Sequence, residues 1–153
     1  MLRNKSELIE LSKLLTENNQ DAVDAVSLLV EKEEFESLDS TVAYFLCGID
    51  ENNNYDSKFD FGAYLDWKDG GEEMVESLEQ GILNKKYSLD LTEIEFSDEE
   101  PETGLKEISE FLEPTAYRLI NWDIDGDCYN LFVIPKDKWA QIEEMKLKIE
   151  RIK

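Results

Sequence analysis

The segment Asn121–Asn130, NWDIDGDCYN, sets Asp123, Asp125 and Asp127 around Gly126, an alternation of carboxylates suited to oxygen ligation or acid–base work. A calcium loop of the EF-hand type needs glycine at its sixth position and glutamate at its twelfth. Counted from Asp123, glycine arrives fourth and the twelfth residue is the apolar Ile134, so that chemistry is excluded. The same aspartates still suit a different divalent-cation site. Carbohydrate chemistry is a further alternative: Asp66 or Asp69 would meet Asp123 as a carboxylate pair, with Trp67 and Trp122 as apolar walls.

Other reactive constellations are missing from the sequence. The chain has no histidine, which removes imidazole acid–base catalysis and the Ser-His and Cys-His nucleophile systems. Cys47 and Cys128 lack CxxC spacing and lie in apolar stretches, so each is expected as a buried free thiol. Gly62, Gly70, Gly71 and Gly126 build neither GxGxxG nor a P-loop. No cofactor and no metal are implied.

Composition turns attention from catalysis to binding. Thirty-seven acidic residues oppose 16 basic ones, a formal charge of −21. Residues 136–153 carry +2, so the first 135 carry −23. A field of this sign repels nucleic acid and anionic membranes and attracts a basic protein. With no run of about 20 apolar residues and no secretory leader pattern, the cytoplasm is the expected location. An apolar fraction of 41% over 153 residues is enough for one folded domain spanning 1–153.

The elements that must position these residues follow from periodicity. Leu8, Leu11 and Leu15, then Ala22, Val26, Leu29 and Val30, predict two N-terminal helices, with Asn4 and Asp21 as caps. The apolar run 42–49, VAYFLCGI, predicts a strand. FDFGAYLDW predicts one strand over 59–67, with Phe59, Phe61, Ala63, Leu65 and Trp67 on one face. A helix carrying Met74, Leu78 and Ile82 follows the break at Gly70 and Gly71. Residues 84–100 alternate through Tyr87, Leu89 and Leu91 into an acidic turn, and Pro101 opens a helix with Leu105, Ile108 and Leu112 that Pro114 stops.

Asp125-Gly126 then predicts a two-residue hairpin turn, pairing Ile124 with Asp127, Trp122 with Tyr129 and Ile120 with Leu131. Trp139, Ile142, Met145, Ile149 and Ile152 predict a terminal helix closing the sheet. The expected fold class is α+β, a largely antiparallel sheet packed by several helices.

At DWKD and WDIDGDCYNLFVIP the chain resembles a family of small bacterial domains of unknown function. In that family a strand and WKD-like corner precede a helix, and a D-x-x-x-D-x-Y-x-L-F-x-x-P hairpin precedes a terminal helix. Asp66, Trp67, Lys68 and Asp69 fit the first feature; Asp123, Asp127, Tyr129, Leu131, Phe132 and Pro135 fit the second. The resemblance runs from Phe59 to Lys153 and implies a fold and an interaction surface, with no reaction attached.

The functional expectation is an acidic, non-enzymatic interaction domain, of the immunity type that blocks a basic toxin or nuclease. Its candidate partner contacts are Asp66, Asp69, Asp123, Asp125 and Asp127, with Trp67 and Trp122 as apolar anchors. The alternatives are a carboxylate-based carbohydrate or divalent-metal site and a purely structural domain. The oligomeric state is left open.

Overall fold

The computed structural model describes residues 2–32, 38–50, 52–124, 126–145 and 147–152, without the side chains of 2–4. Helices α1 (Leu2–Thr16), α2 (Gln20–Glu31) and α3 (Leu38–Phe45) lead into strands β1 (Cys47–Ile49), β2 (Tyr55–Asp60) and β3 (Ala63–Asp66). Then come α4 (Gly71–Gln80), α5 (Ile82–Tyr87), a 3-10 turn (Leu91–Glu93) and α6 (Pro101–Leu112). Strands β4 (Tyr117–Trp122) and β5 (Cys128–Pro135), a 3-10 turn (Lys136–Lys138), α7 (Trp139–Glu143) and β6 (Ile149–Arg151) complete the chain. β1 and β2 form a two-stranded sheet; a four-stranded sheet has the order β3-β5-β4-β6, and every pairing is antiparallel. The fold is α+β, as the periodicity predicts.

The four-stranded sheet is covered on both faces. Ile120, Trp122, Phe132 and Ile134 pack with Leu8, Leu11, Leu15, Val26, Val42 and Ile142 from the N-terminal helices and α7. On the reverse face Ala63, Leu65, Leu119, Leu131 and Val133 pack with Met74, Leu78, Ile108 and Leu112 from α4 and α6. Alternate residues of β5 therefore feed two cores, which is why Leu131–Ile134 is an unbroken apolar run instead of an alternation. Each large side chain withdrawn from water on these faces contributes roughly 1.5–3 kcal/mol.

The hairpin register differs from the expected one. Ile120 lies opposite Phe132 and Asn121 opposite Leu131, a shift of one residue from the Ile120/Leu131 pairing. Five residues, 123–127, separate β4 from β5, where a two-residue connection is expected. The physical reason is the two-faced burial: pairing Ile120 with Leu131 would put residues of opposite cores on one face. Asp125 itself lies outside the described residues.

Further expectations are corrected. Residues 38–45 form α3, leaving only Cys47–Ile49 extended; Val42, Ala43 and Leu46 are buried at helical spacing, and a dense apolar run does not separate the two states. The single strand over 59–67 is broken between β2 and β3, where the N–H groups of Phe61 and Gly62 both donate to the Leu46 carbonyl at 3.0 Å. A Cβ on Gly62 would stand 2.4 Å from the Phe132 ring, so glycine is what lets the chain pass beneath it. The terminal segment is no long helix: after α7, β6 pairs with β4, Trp122 opposite Ile149 and Ile120 opposite Arg151, covering an edge that would otherwise be unpaired. Asn19, not Asp21, caps α2, its Oδ1 accepting the Ala22 N–H at 3.0 Å, and α1 already begins at Leu2, ahead of Asn4. Where Tyr87, Leu89 and Leu91 alternate, Tyr87 ends α5 and Leu91 opens the 3-10 turn. Both cysteines are free, Cys47 buried and Cys128 half-buried.

A close approach at Gly104 and an open position at Gly126 predict sharply different glycine costs. A Cβ at Gly104 would lie 2.6 Å from the Gly71 nitrogen, backbone against backbone where α6 crosses α4. Gly104→Ala should lower stability by about 2–3 kcal/mol in chemical denaturation. Gly126→Ala, whose Cβ meets only Cys128 Sγ at 3.4 Å, should cost below about 1 kcal/mol. Equal losses would refute the crossing as the constraint.

Asp60 generates a pH prediction. It is buried, and its Oδ2 accepts the Tyr55 hydroxyl at 2.5 Å. Burial raises its carboxyl above the ordinary 3.8, opposed by the Tyr55 hydrogen bond and by Lys85. Since the folded value exceeds the unfolded one, its stabilising contribution is complete below the unfolded pKa and is lost as pH rises through the folded pKa. Asp60→Asn keeps an acceptor for Tyr55 and carries no charge. It should raise Tm at neutral pH, and the gain should shrink toward zero below about pH 4. Thermal melts across that range check this; a pH-independent difference would contradict it.

Candidate functional site

β3 runs antiparallel to β5 with Asp66 opposite Cys128, so the chain leaving β3 arrives beside the hairpin loop. There the Trp67 N–H donates to the Asp127 carbonyl at 3.1 Å. The Asp69 N–H donates to the Asp66 carbonyl at 3.0 Å, and Asp69 Oδ2 accepts the Asp66 N–H at 2.9 Å. The DWKD corner is thus held from both sides before α4 begins. Trp67 stands 53% exposed on it, with Lys68 Nζ 5.3 Å from the ring centroid. Tyr64, 42% exposed one turn of the pleat away, packs edge-on against Tyr44 at 5.1 Å.

Four of the expected contact residues are therefore brought together: Asp66, Trp67, Asp69 and Asp127. Asp66 and Asp127 are exposed, whereas Asp69 spends one oxygen on the corner itself. Asp123 is exposed at the end of β4, its N–H donating to the Lys148 carbonyl at 2.8 Å. Trp122 is 1% exposed and belongs to the core, so it is no surface anchor and the second wall of a sugar site is absent. Among the described residues no three Cys, Asp or Glu side chains are grouped to hold a metal ion.

A second feature lies along α4. Glu79 Oε1 accepts the Leu91 N–H at 2.7 Å and Oε2 accepts Asn84 Nδ2 at 2.8 Å, which draws the 3-10 turn against the helix. The chain then runs past α4 through Ile94 and Phe96, leaving a groove of about 530 Å³. Val75, Leu91, Ile94 and Phe96 supply its apolar lining, and Glu72 and Glu76 stand exposed on its rim. The far wall is fixed: the Phe96 ring occupies the space a Cβ on Gly71 would fill, 2.3 Å away, and the Ser97 N–H donates to Glu107 Oε1 at 2.9 Å. The sequence predicts an acidic turn over this stretch. The signal was the alternation of Ile94 and Phe96 with Glu93 and Glu95, which marks an extended segment with one apolar side.

Both features sit in the most acidic part of the chain. Residues 66–113 hold sixteen Asp or Glu against four Lys, a balance of −12 that leaves −9 on the other 105 residues. Ion pairs join Lys13 to Glu10, Lys58 to Asp21, and both Lys138 and Lys86, the latter from within this stretch, to Glu17. Among the described residues no carboxylate of 66–113 is neutralised in this way. Two other clefts, of about 430 and 280 Å³, adjoin one another at Tyr117 and Lys136 and mix cations with carboxylates. Among the described residues no helix is long and apolar enough to cross a membrane.

No curated protein and no solved structure matches the chain. The sequence profile described as Domain of unknown function (DUF6630) matches residues 7–151, a span that takes in the N-terminal helices as well as the corner and hairpin on which the resemblance rests. The chain belongs to that family of domains of unknown function.

Proposed function

We propose that this domain is a non-enzymatic binding protein for a basic protein, and that its biological class is the immunity-type inhibitor, which blocks a toxin or nuclease with a basic working surface. The observation that carries the reading is Trp67, an indole held half out of the structure on a fixed corner among Asp66, Asp69 and Asp127. An exposed aromatic ring on rigid backbone loses little conformational freedom on binding, and aromatic anchors supply much of the energy of protein interfaces. The surrounding carboxylates raise the rate of encounter with a cationic surface and set its orientation. The same field works against direct contact with nucleic acid or an anionic membrane.

Capture from native lysate on the immobilised domain tests the proposal. A basic protein should be retained, and its toxin or nuclease activity should fall when the domain is bound. Trp67→Ala should weaken retention by about 2 kcal/mol, roughly thirtyfold, and Asp66→Asn with Asp127→Asn should weaken it further at low salt than at high salt. Absence of a specific basic partner, or capture indifferent to these substitutions, would defeat it.

A further inference from the structure

We infer that the groove between α4 and residues 91–96 receives an extended segment of a basic protein in which Lys or Arg alternates with Leu, Ile or Phe. The inference rests on the interaction reading above and adds to it the location and chemistry of the bound segment. Extended chain turns alternate side chains to opposite sides, with like-facing residues about 6.7 Å apart. Apolar residues of such a segment would enter the lining of Val75, Leu91, Ile94 and Phe96. The intervening side chains would leave the lining, and their long Lys or Arg stems would bend back to the rim, where Glu72 and Glu76 are one helical turn apart, about 6 Å. The two spacings agree closely enough for successive cations to meet successive carboxylates.

Charge decides among occupants. A second copy of this chain brings another −21, and a nucleic acid or anionic bilayer brings the same sign, so each would be repelled from a rim within a stretch of net −12. A basic segment is attracted. Glu79 is left out of the contact set because both its oxygens already hold the 3-10 turn and Asn84 in place.

Fluorescence anisotropy with an eight-residue peptide alternating lysine and leucine tests the groove, with a lysine–serine and a glutamate–leucine peptide as comparators. The lysine–leucine peptide should bind about tenfold tighter than lysine–serine, and the glutamate–leucine peptide should not bind. Glu72→Gln with Glu76→Gln should weaken binding about tenfold with Tm unchanged, whereas Glu110→Gln with Glu113→Gln, a matched loss of charge elsewhere, should leave it unaltered. A photo-crosslinker on the peptide should label residues 72–76 or 91–96. Equal binding of the lysine–serine peptide, or indifference to the groove variant, overturns the inference. If a basic protein is still captured through Trp67 in that case, the interaction reading survives without the groove; if no basic partner binds anywhere, both fail. A doubled mass in light scattering that reverts in the groove variant would assign the groove to a second copy and also overturn it.

Discussion

β5 is buried from both sides, and nearly everything else is arranged around that requirement. A strand with water on one face tolerates polar residues at every second position; this one has helices on both, so Leu131 and Val133 face α4 and α6 while Phe132 and Ile134 face the N-terminal helices. A slip of one residue would exchange the two sets and bring Phe132 toward the space shaped for Leu131. The register with β4 is therefore set by packing, and the hairpin loop adopts whatever length that register leaves. The buried polar residue of the strand, Asn130, is held accordingly: its N–H donates to Asn121 Oδ1 at 3.0 Å and its Nδ2 to the Trp122 carbonyl at 3.3 Å.

Sandwiching a sheet in so short a chain demands that layers approach closely, and small residues supply the clearance. Gly62 passes beneath Phe132 on one side of the sheet, and Gly71 and Gly104 let α4 and α6 cross in backbone contact on the other. The second approach reaches the surface, because Gly71 also makes room for the Phe96 ring that walls the groove. Core geometry and surface shape are thus linked through one residue without a side chain. The corner is linked similarly, since the Asp127 carbonyl that receives Trp67 N–H belongs to the loop whose length the β5 register determines.

Much of this was legible in the residues. Helices with a sustained 3.6-residue stripe, α1, α2, α4 and α6, are found where Leu8 to Leu15, Ala22 to Val30, Met74 to Leu78 and Leu105 to Leu112 predict them. Each stripe is long enough for local periodicity to choose the state. The misread segments are those in which tertiary partners choose. Residues 42–46 are apolar enough for either state, and Ile149–Arg151 has a helical pattern that yields to the open edge of β4. The break at Phe61 and Gly62 was hidden because alternation continues across it: Phe61 enters one core while Ala63 and Leu65 enter the other. At the site, the adjacency of the DWKD corner and the hairpin loop follows from antiparallel pairing, but Trp122 and Trp67 look alike in sequence and differ only in which end of a strand turns inward.

The charge distribution has its own logic within this architecture. The residues of and just after α1 and α2 take part in each of the ion pairs made by Lys13, Lys58, Lys86 and Lys138, whereas among the described residues the carboxylates of the α4–α6 layer make none. Mutual repulsion among those carboxylates opposes folding. The two cores offset it, and a second core behind α4 and α6 is what allows so acidic a layer to stay ordered. A protein that neutralised the layer would relieve that repulsion only when the layer is folded, so its binding and the stability of the α4–α6 face would be thermodynamically linked. Trp67, the groove and sixteen carboxylates without an ion pair among the described residues thus fall in one stretch of 48 residues, so the repulsion is concentrated in the layer that the second core holds together.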